Sequence, residues 1–331
     1  MNYSHRFMGV KMDKNNDIFN LTEGQEKRIS SFLEKGRRDT PLFCEEGVNE
    51  EIFISVKDGE VRVLHHKPEK QTTKRPILFL PGFVAAPWTW NDFHRSHHGF
   101  AEYYYFETRE KKSSKMNRHR KIQLSIKQSA VDLADVIEYL GLNKIDYVLA
   151  SASYGGGVVF QALIDKLIKP PTTYSFDPIA EWIYVSPFMN VFIRFTPGFI
   201  LGPFRTIFTK MYLRRMKNQS QKNRMIAFVQ GGEPWKFKKS TRQNLKWDIR
   251  EELSEIDTEL FIAHGPLDKY HPRMAYYNFT KAIPKGRFVF MNTTDEDREL
   301  LAGVIATEFA KITKEDGLPK SLKQFEIKID R

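Results

Sequence analysis

Cysteine is almost missing from this chain. One residue, Cys44, among 331 excludes an intrachain disulfide and suits a reducing compartment, so a cytoplasmic location is expected. No run approaches ~18 uninterrupted apolar residues, which argues against a spanning helix. No apolar stretch near the N-terminus resembles a signal peptide. No recognised nucleic-acid module is present, so no specific nucleic-acid partner is expected despite a net charge of +11. Acids are scarce in one interval. Between Phe188 and Arg250 there are 14 Lys/Arg and only two acids, Glu233 and Asp248, so this segment alone carries +12. The remainder is close to neutral, and the basic character belongs to one part of the molecule. Histidine is absent after His271.

What is present suits one large α/β domain. Apolar residues make up 41% of the chain, enough for a sizeable core. Residues 1–48 are polar and mixed and read as an N-terminal arm with one helix near Gln25–Lys35. Glu51–Ser55 and Glu60–His65 alternate apolar and polar around "KDGE", the signal of a β-hairpin. Buried strands are expected at Ile77–Leu80, at 103–107 ("YYYFE"), at 147–150 ("YVLA"), at 182–185 ("WIYV"), at 259–263 and at 287–291. Helical spacing at Gln128–Leu140, Gly155–Ile168 and about Asp297–Ile312 alternates with them. Such alternation implies a mostly parallel sheet with helices on both faces. The interval 187–253 is too long for a simple crossover and reads as an inserted helical cap. Residues 313–331 are charged and read as a surface tail.

The stretch "VLASASYGGGVV" (148–159) places Ser153 at a corner between a strand and a glycine-rich helix start. Ser151-Ala152-Ser153-Tyr154-Gly155 resembles the nucleophile elbow of the α/β-hydrolases, usually G-x-S-x-G, with Ser151 in place of the first glycine. "LFLPGF" (78–83) stands where that superfamily has a strand followed by His-Gly; Pro81 replaces the histidine and Gly82 is kept. "ELFIAHGPLD" (259–268) supplies a third match. The resemblance spans roughly residues 50–312, leaving 49–312 as the hydrolase domain with its insertion. It implies Ser153 as nucleophile, Asp268 as the acid that orients an imidazole, and the amides of Phe83 and Tyr154 as oxyanion donors. It implies neither cofactor nor metal, and it leaves His264 as a structural turn residue.

The resemblance breaks at the base. The superfamily's histidine follows the last strand, but here that loop reads "NTTDEDREL" (292–300), and the slot near Asn292 to Asp295 holds none. A serine hydroxyl without a base is a weak nucleophile. Asp295 could accept a proton only if its pKa were raised. His271, or one of His94, His97 and His98, could reach the site from elsewhere. Two function classes therefore stand side by side. One is a serine hydrolase-like enzyme for an ester or thioester with an apolar acyl part. The other is a protein of the same fold that binds a lipid or carbonyl ligand without cleaving it. Basic residues interleaved with apolar ones at 188–217, and a second basic run at 109–121, suggest an anionic substrate or peripheral contact with an anionic membrane. An ordinary cap helix whose apolar stripe closes a pocket also explains the first segment, and is the simpler reading.

Overall fold

The computed structural model describes residues 16–183, 195–196, 209–211, 213–214, 218–265 and 273–331. Helix α1 (Glu23–Gly36) opens with a capping box: Thr22 Oγ1 accepts from the Gln25 amide, and Gln25 Oε1 accepts from the Thr22 amide at 2.8 Å. Strands β1 (Glu50–Val56) and β2 (Gly59–His66) form the expected hairpin, with Asp58 at φ 68° in its turn. β3 (Ile77–Leu80), helix α2 (Asn91–Arg95), β4 (Tyr103–Glu107) and a short β5 (Lys115–Met116) follow. Then come α3 (Ile126–Tyr139), β6 (Val148–Ala152), α4 (Tyr154–Ile164) and β7 (Thr172–Phe176). The insertion contributes α5 (Gln219–Gly231) and α6 (Pro234–Asn244). The chain ends through β8 (Leu260–His264), α7 (Arg273–Ala282), β9 (Gly286–Phe290), α8 (Arg298–Ala310) and β10 (Glu326–Ile327).

These strands make one sheet in the order β1-β2-β4-β3-β6-β7-β8-β9-β10, with β5 beside β2. The pairs from β4 through β3, β6, β7, β8 and β9 are parallel, while the two margins are antiparallel. Apolar side chains fill both faces. One face packs against α3 and α4 through residues such as Leu133, Val136 and Val159. The other packs against α1, α2 and α8 through Phe32, Phe93, Leu301 and Phe309. A sheet covered on both faces explains why its inner strands read as continuous apolar runs.

Two sequence expectations need correction. The strand after α4 is not 182–185: Trp182 and Ile183 have no strand pairing, 184–185 lie outside the described residues, and the strand is Thr172–Phe176. Its sequence, "TTYSF", is rich in hydroxyls and looks exposed, yet all five residues are buried. Most of those hydroxyls are satisfied internally. Thr172 Oγ1 accepts from Arg75 at 2.6 Å, the Tyr174 hydroxyl donates to the Ala302 carbonyl at 3.3 Å, and the Ser175 and Ser151 hydroxyls meet at 2.6 Å. The C-terminal segment is likewise no surface tail. Leu318, Leu322 and Phe325 are buried, and β10 adds antiparallel to β9.

Candidate active site

The parallel strands end level with one another: Leu80 pairs with Ser151, Ala152 with Phe176, and Phe176 with Ala263. Loops leaving these tips therefore converge on one edge. Ser153 is the first residue beyond β6 and the residue before α4, with φ 51° and ψ −114°. That backbone region is costly for a residue with a Cβ, on the order of 1–3 kcal/mol. The surroundings hold it in place. The Ser153 amide donates to the Phe176 carbonyl at 3.1 Å, and the Ser153 carbonyl accepts from Gly157 and Ile179 at 3.3 and 3.2 Å. The corner also requires small neighbours. A Cβ on Gly155 would overlap the Leu80 carbonyl oxygen, and one on Gly156 would lie 2.5 Å from Pro178 Cβ.

Two further non-glycine residues at this edge have positive φ, Val84 (43°) in the loop after β3 and Asp177 (47°) directly after β7. The other two among the described residues, Asp58 and Lys166, sit in the hairpin turn and just past the end of α4. Strain is thus concentrated around Ser153. The loop 82–84 stands beside it: a Cβ built on Gly82 would be 3.7 Å from Ser153 Cβ. The Phe83 ring packs within 5.1 Å of Tyr154 and Trp182, and within about 6 Å of Phe228 and Phe237 from the insertion. The neighbourhood of the serine is aromatic.

No sequence-family model matches the chain, and no curated protein matches its sequence. Solved structures do. An esterase from Thermogutta terrifontis superposes with a TM-score of 0.59 at 16% identity, covering 78% of this chain and 95% of its own. A hydrolase from Pseudomonas aeruginosa gives 0.58 at 12% identity, covering 79% and 98%. A bacterial membrane phospholipase A gives 0.55 at 14% identity, covering 81% and 84%. The chain has the α/β-hydrolase fold. At such identities the likeness fixes the architecture, while the chemistry must be argued from the residues.

The described residues of the slot where the sequence resemblance seeks a base make other contacts. Asp295 Oδ1 accepts from Arg224 Nη1 at 2.5 Å, and its carbonyl accepts from Arg224 and Ser220. Arg224 also binds Glu299 at 2.8 and 2.9 Å. Asp295 thus tethers α5 through Oδ1 and its carbonyl, while its Oδ2 is buried without a hydrogen-bond partner. Asn292 accepts from Arg273 at 3.3 Å. Asp268 and His271 lie outside the described residues. His94, His97 and His98 sit in an aromatic cluster, and neither ring nitrogen of His94 makes a hydrogen bond. His94 and His97 pack on Tyr103, and His98 packs on His66, which itself stacks on Tyr103. Tyr103 pairs with Ile77, and Ile77 with Val148, five residues before Ser153 and about 16 Å back along the strands.

Sequence reading missed a polar centre next to the serine. Asp177 at the tip of β7 is fully buried. Its Oδ1 lies 2.5 Å from Nδ1 of His264, at the tip of β8, and its Oδ2 accepts from Arg298 Nε at 2.8 Å. A carboxylate held by a guanidinium fixes the imidazole tautomer with the proton on Nδ1. His264 Nε2 is buried and makes no hydrogen bond, so no bond joins it to Ser153. The expected structural role of His264 gains a definite partner. The signal was "FDP" (176–178), hidden because the preceding strand looked like a polar loop. Two basic members of the run 109–121 are buried, while Lys112, Lys115, Arg118, Arg120 and Lys121 are exposed. Arg109 is buried and grips Asp132 with two bonds of 2.5–2.6 Å, and Lys111 is buried beside Glu110, so neither lends charge to the surface.

Proposed function

We propose that this protein is a serine hydrolase-like enzyme acting on an ester or thioester with an apolar acyl part. The observation that carries this reading is the strained Ser153 at a strand-to-helix corner, next to a glycine loop. Ser153 would be the nucleophile. The Phe83 and Tyr154 amides would receive the oxyanion, the latter helped by the partial positive charge at the α4 N-terminus. Asp268 would be the acid and His271 the candidate base. The aromatic side chains around Phe83 suit an apolar acyl group. The structural neighbours include an esterase and a phospholipase A, both named for ester cleavage, which agrees with this substrate class. Anionic lipid or a charged thioester carrier would suit the +12 of the segment 188–250. Among the described residues no helix is long and apolar enough to cross a membrane.

One observation favours a second reading. The slot of the missing histidine is filled by the Asp295–Arg224 tether, as expected for a protein that binds a carbonyl ligand or lipid without cleaving it. A fluorophosphonate probe separates the two, because only an activated hydroxyl attacks it. Labelling that disappears in Ser153→Ala supports the enzyme. A folded protein that takes no label supports the binder.

A further inference from the structure

The loop carrying Phe83 is gripped by a buried ion pair whose two charges hold opposite ends of it. Lys111 and Glu110 are 1% and 0% exposed. Lys111 Nζ donates to the Gly82 carbonyl oxygen and lies 3.7 Å from Glu110 Oε1. The same Glu110 oxygen accepts from the Val84 amide at 3.4 Å and from the Thr108 hydroxyl at 2.8 Å. The carbonyl before Phe83 and the amide after it are thus fixed by one pair. Directly after the gripped amide the backbone turns through Val84 at φ 43°, a conformation rare for a β-branched residue.

The insertion closes on the loop from the other side. A Cβ on Gly231 would overlap the Val84 carbonyl and come within 2.8 Å of the Ala86 amide nitrogen. The Lys112 amide donates to the Gly231 carbonyl at 2.7 Å. Lys236 of α6, itself buried, donates to the carbonyls of Lys111 and Ser114. Two charges taken out of water cost several kcal/mol each before their attraction is counted, and apolar residues would fill the space more cheaply. What apolar residues cannot provide is a directed donor for one carbonyl and a directed acceptor for one amide. Burial lowers the Lys111 pKa and Glu110 opposes that shift, so the ammonium depends on its carboxylate partner.

We propose that Glu110 and Lys111 are positioning residues for the oxyanion hole, and that the Gly231–Gly232 corner of the insertion is the opposing jaw. Seating of the insertion then sets where the Phe83 amide points. This rests on the reading of Phe83 as an oxyanion donor. A displacement of about 1 Å in such a donor is enough to cost ~100-fold in rate.

The test uses the full chain, a fluorophosphonate probe and amide hydrogen exchange. In Lys111→Met the maximal rate of Ser153 labelling should fall ~100-fold while the probe's affinity stays the same. Exchange over residues 82–86 should quicken while the rest of the sheet keeps its protection. A folded Lys111→Met that labels at the wild-type rate, with unchanged exchange at 82–86, overturns the proposal. Should that variant not fold, Gly231→Ala replaces it. This change leaves the ion pair intact and pushes the insertion off Val84, so the same slowing is expected and wild-type labelling overturns the idea. If the wild-type protein takes no label, the hydrolase reading fails instead. Exchange at 82–86 then decides the clamp alone, and unchanged protection in the variants sinks it.

Discussion

Acid should unfold this protein through four histidines that lie far from Ser153. His94 is sandwiched between Phe43, 3.4 Å away, and Tyr103, 4.8 Å away, with His97 5.6 Å off. His66 and His98 lie 4.3 Å apart beside the same tyrosine. Burial lowers all four pKa values: His66 from 6.5 to about 4, His97 from 6.5 to about 3, His94 well below 6.5, and His98 downward. Neighbouring imidazoles add to the shift at His66, His94 and His97, as does Arg38 at His97, and no carboxylate contributes to any of the four. Their ring nitrogens find few partners: Ser96 Oγ for His97, and the Val48 carbonyl and Gly99 amide for His66. The folded state holds these rings neutral, whereas the unfolded chain protonates them near pH 6.5. Unfolding therefore takes up protons below pH 6.5. Stability is fully present above that pH and is lost as pH falls toward the folded values. Between pH 7.5 and 5, each of His66 and His97 removes about 2 kcal/mol, about 4 kcal/mol together, and His94 adds to the loss. That is a large share of the entire stability of many domains, about 5–15 kcal/mol. Urea unfolding followed by circular dichroism at pH 7.5, 6.5, 5.5 and 5.0 measures the loss. Replacing His94 and His97 by Phe keeps the ring packing and should reduce the slope by about 1.4 kcal/mol per pH unit per histidine removed. Stability that stays flat to pH 5, or a slope indifferent to both substitutions, refutes the argument.

Three other substitutions probe the frame. Gly155→Ala should drive a methyl into the Leu80 carbonyl and open the elbow, costing about 1–3 kcal/mol in urea melts and slowing Ser153 labelling. Asp132→Asn strands the buried Arg109 guanidinium and should cost about 3–5 kcal/mol, visible as a lowered melting temperature. Phe325→Ala should cost about 3–5 kcal/mol if the C-terminal segment belongs to the core, and almost nothing if it is a tail.

Much of the sheet was legible because its inner strands are apolar runs bounded by turn residues. β3, β4, β6, β8 and β9 each fall within one or two residues of expectation. The corner at Ser153 was legible as well, since a tight strand–helix turn needs its glycines. β7 was not, because its Thr, Tyr and Ser are buried by partners from other strands and helices that no local pattern reveals. That single omission concealed Asp177 and left His264 without a partner on paper. Arg109 and Lys111, inside the run at 109–121, escaped for a related reason. A count of positive charge cannot distinguish a solvated arginine from Arg109, whose partner Asp132 lies 23 residues away on a helix that looks amphipathic. Buried polar pairs depend on tertiary neighbours, and those are what a linear reading lacks.

The conformation of Ser153 supplies a test whose sign alone is decisive. At an ordinary backbone position, replacing Ala by Gly destabilises by roughly 0.5–1 kcal/mol, because the unfolded chain gains freedom. At φ 51° and ψ −114° the Cβ itself is the source of strain. Ser153→Ala retains that Cβ and loses the hydroxyl, while Ser153→Gly loses both. The difference between the two variants therefore excludes every contact of the hydroxyl and reports the backbone alone. Relief of about 1–3 kcal/mol of strain exceeds the entropic cost, so the glycine variant should be the more stable by about 1 kcal/mol. Paired urea melts resolve that difference. An alanine variant more stable than the glycine one would mean that the corner is relaxed, and the physical basis for singling out Ser153 would be gone.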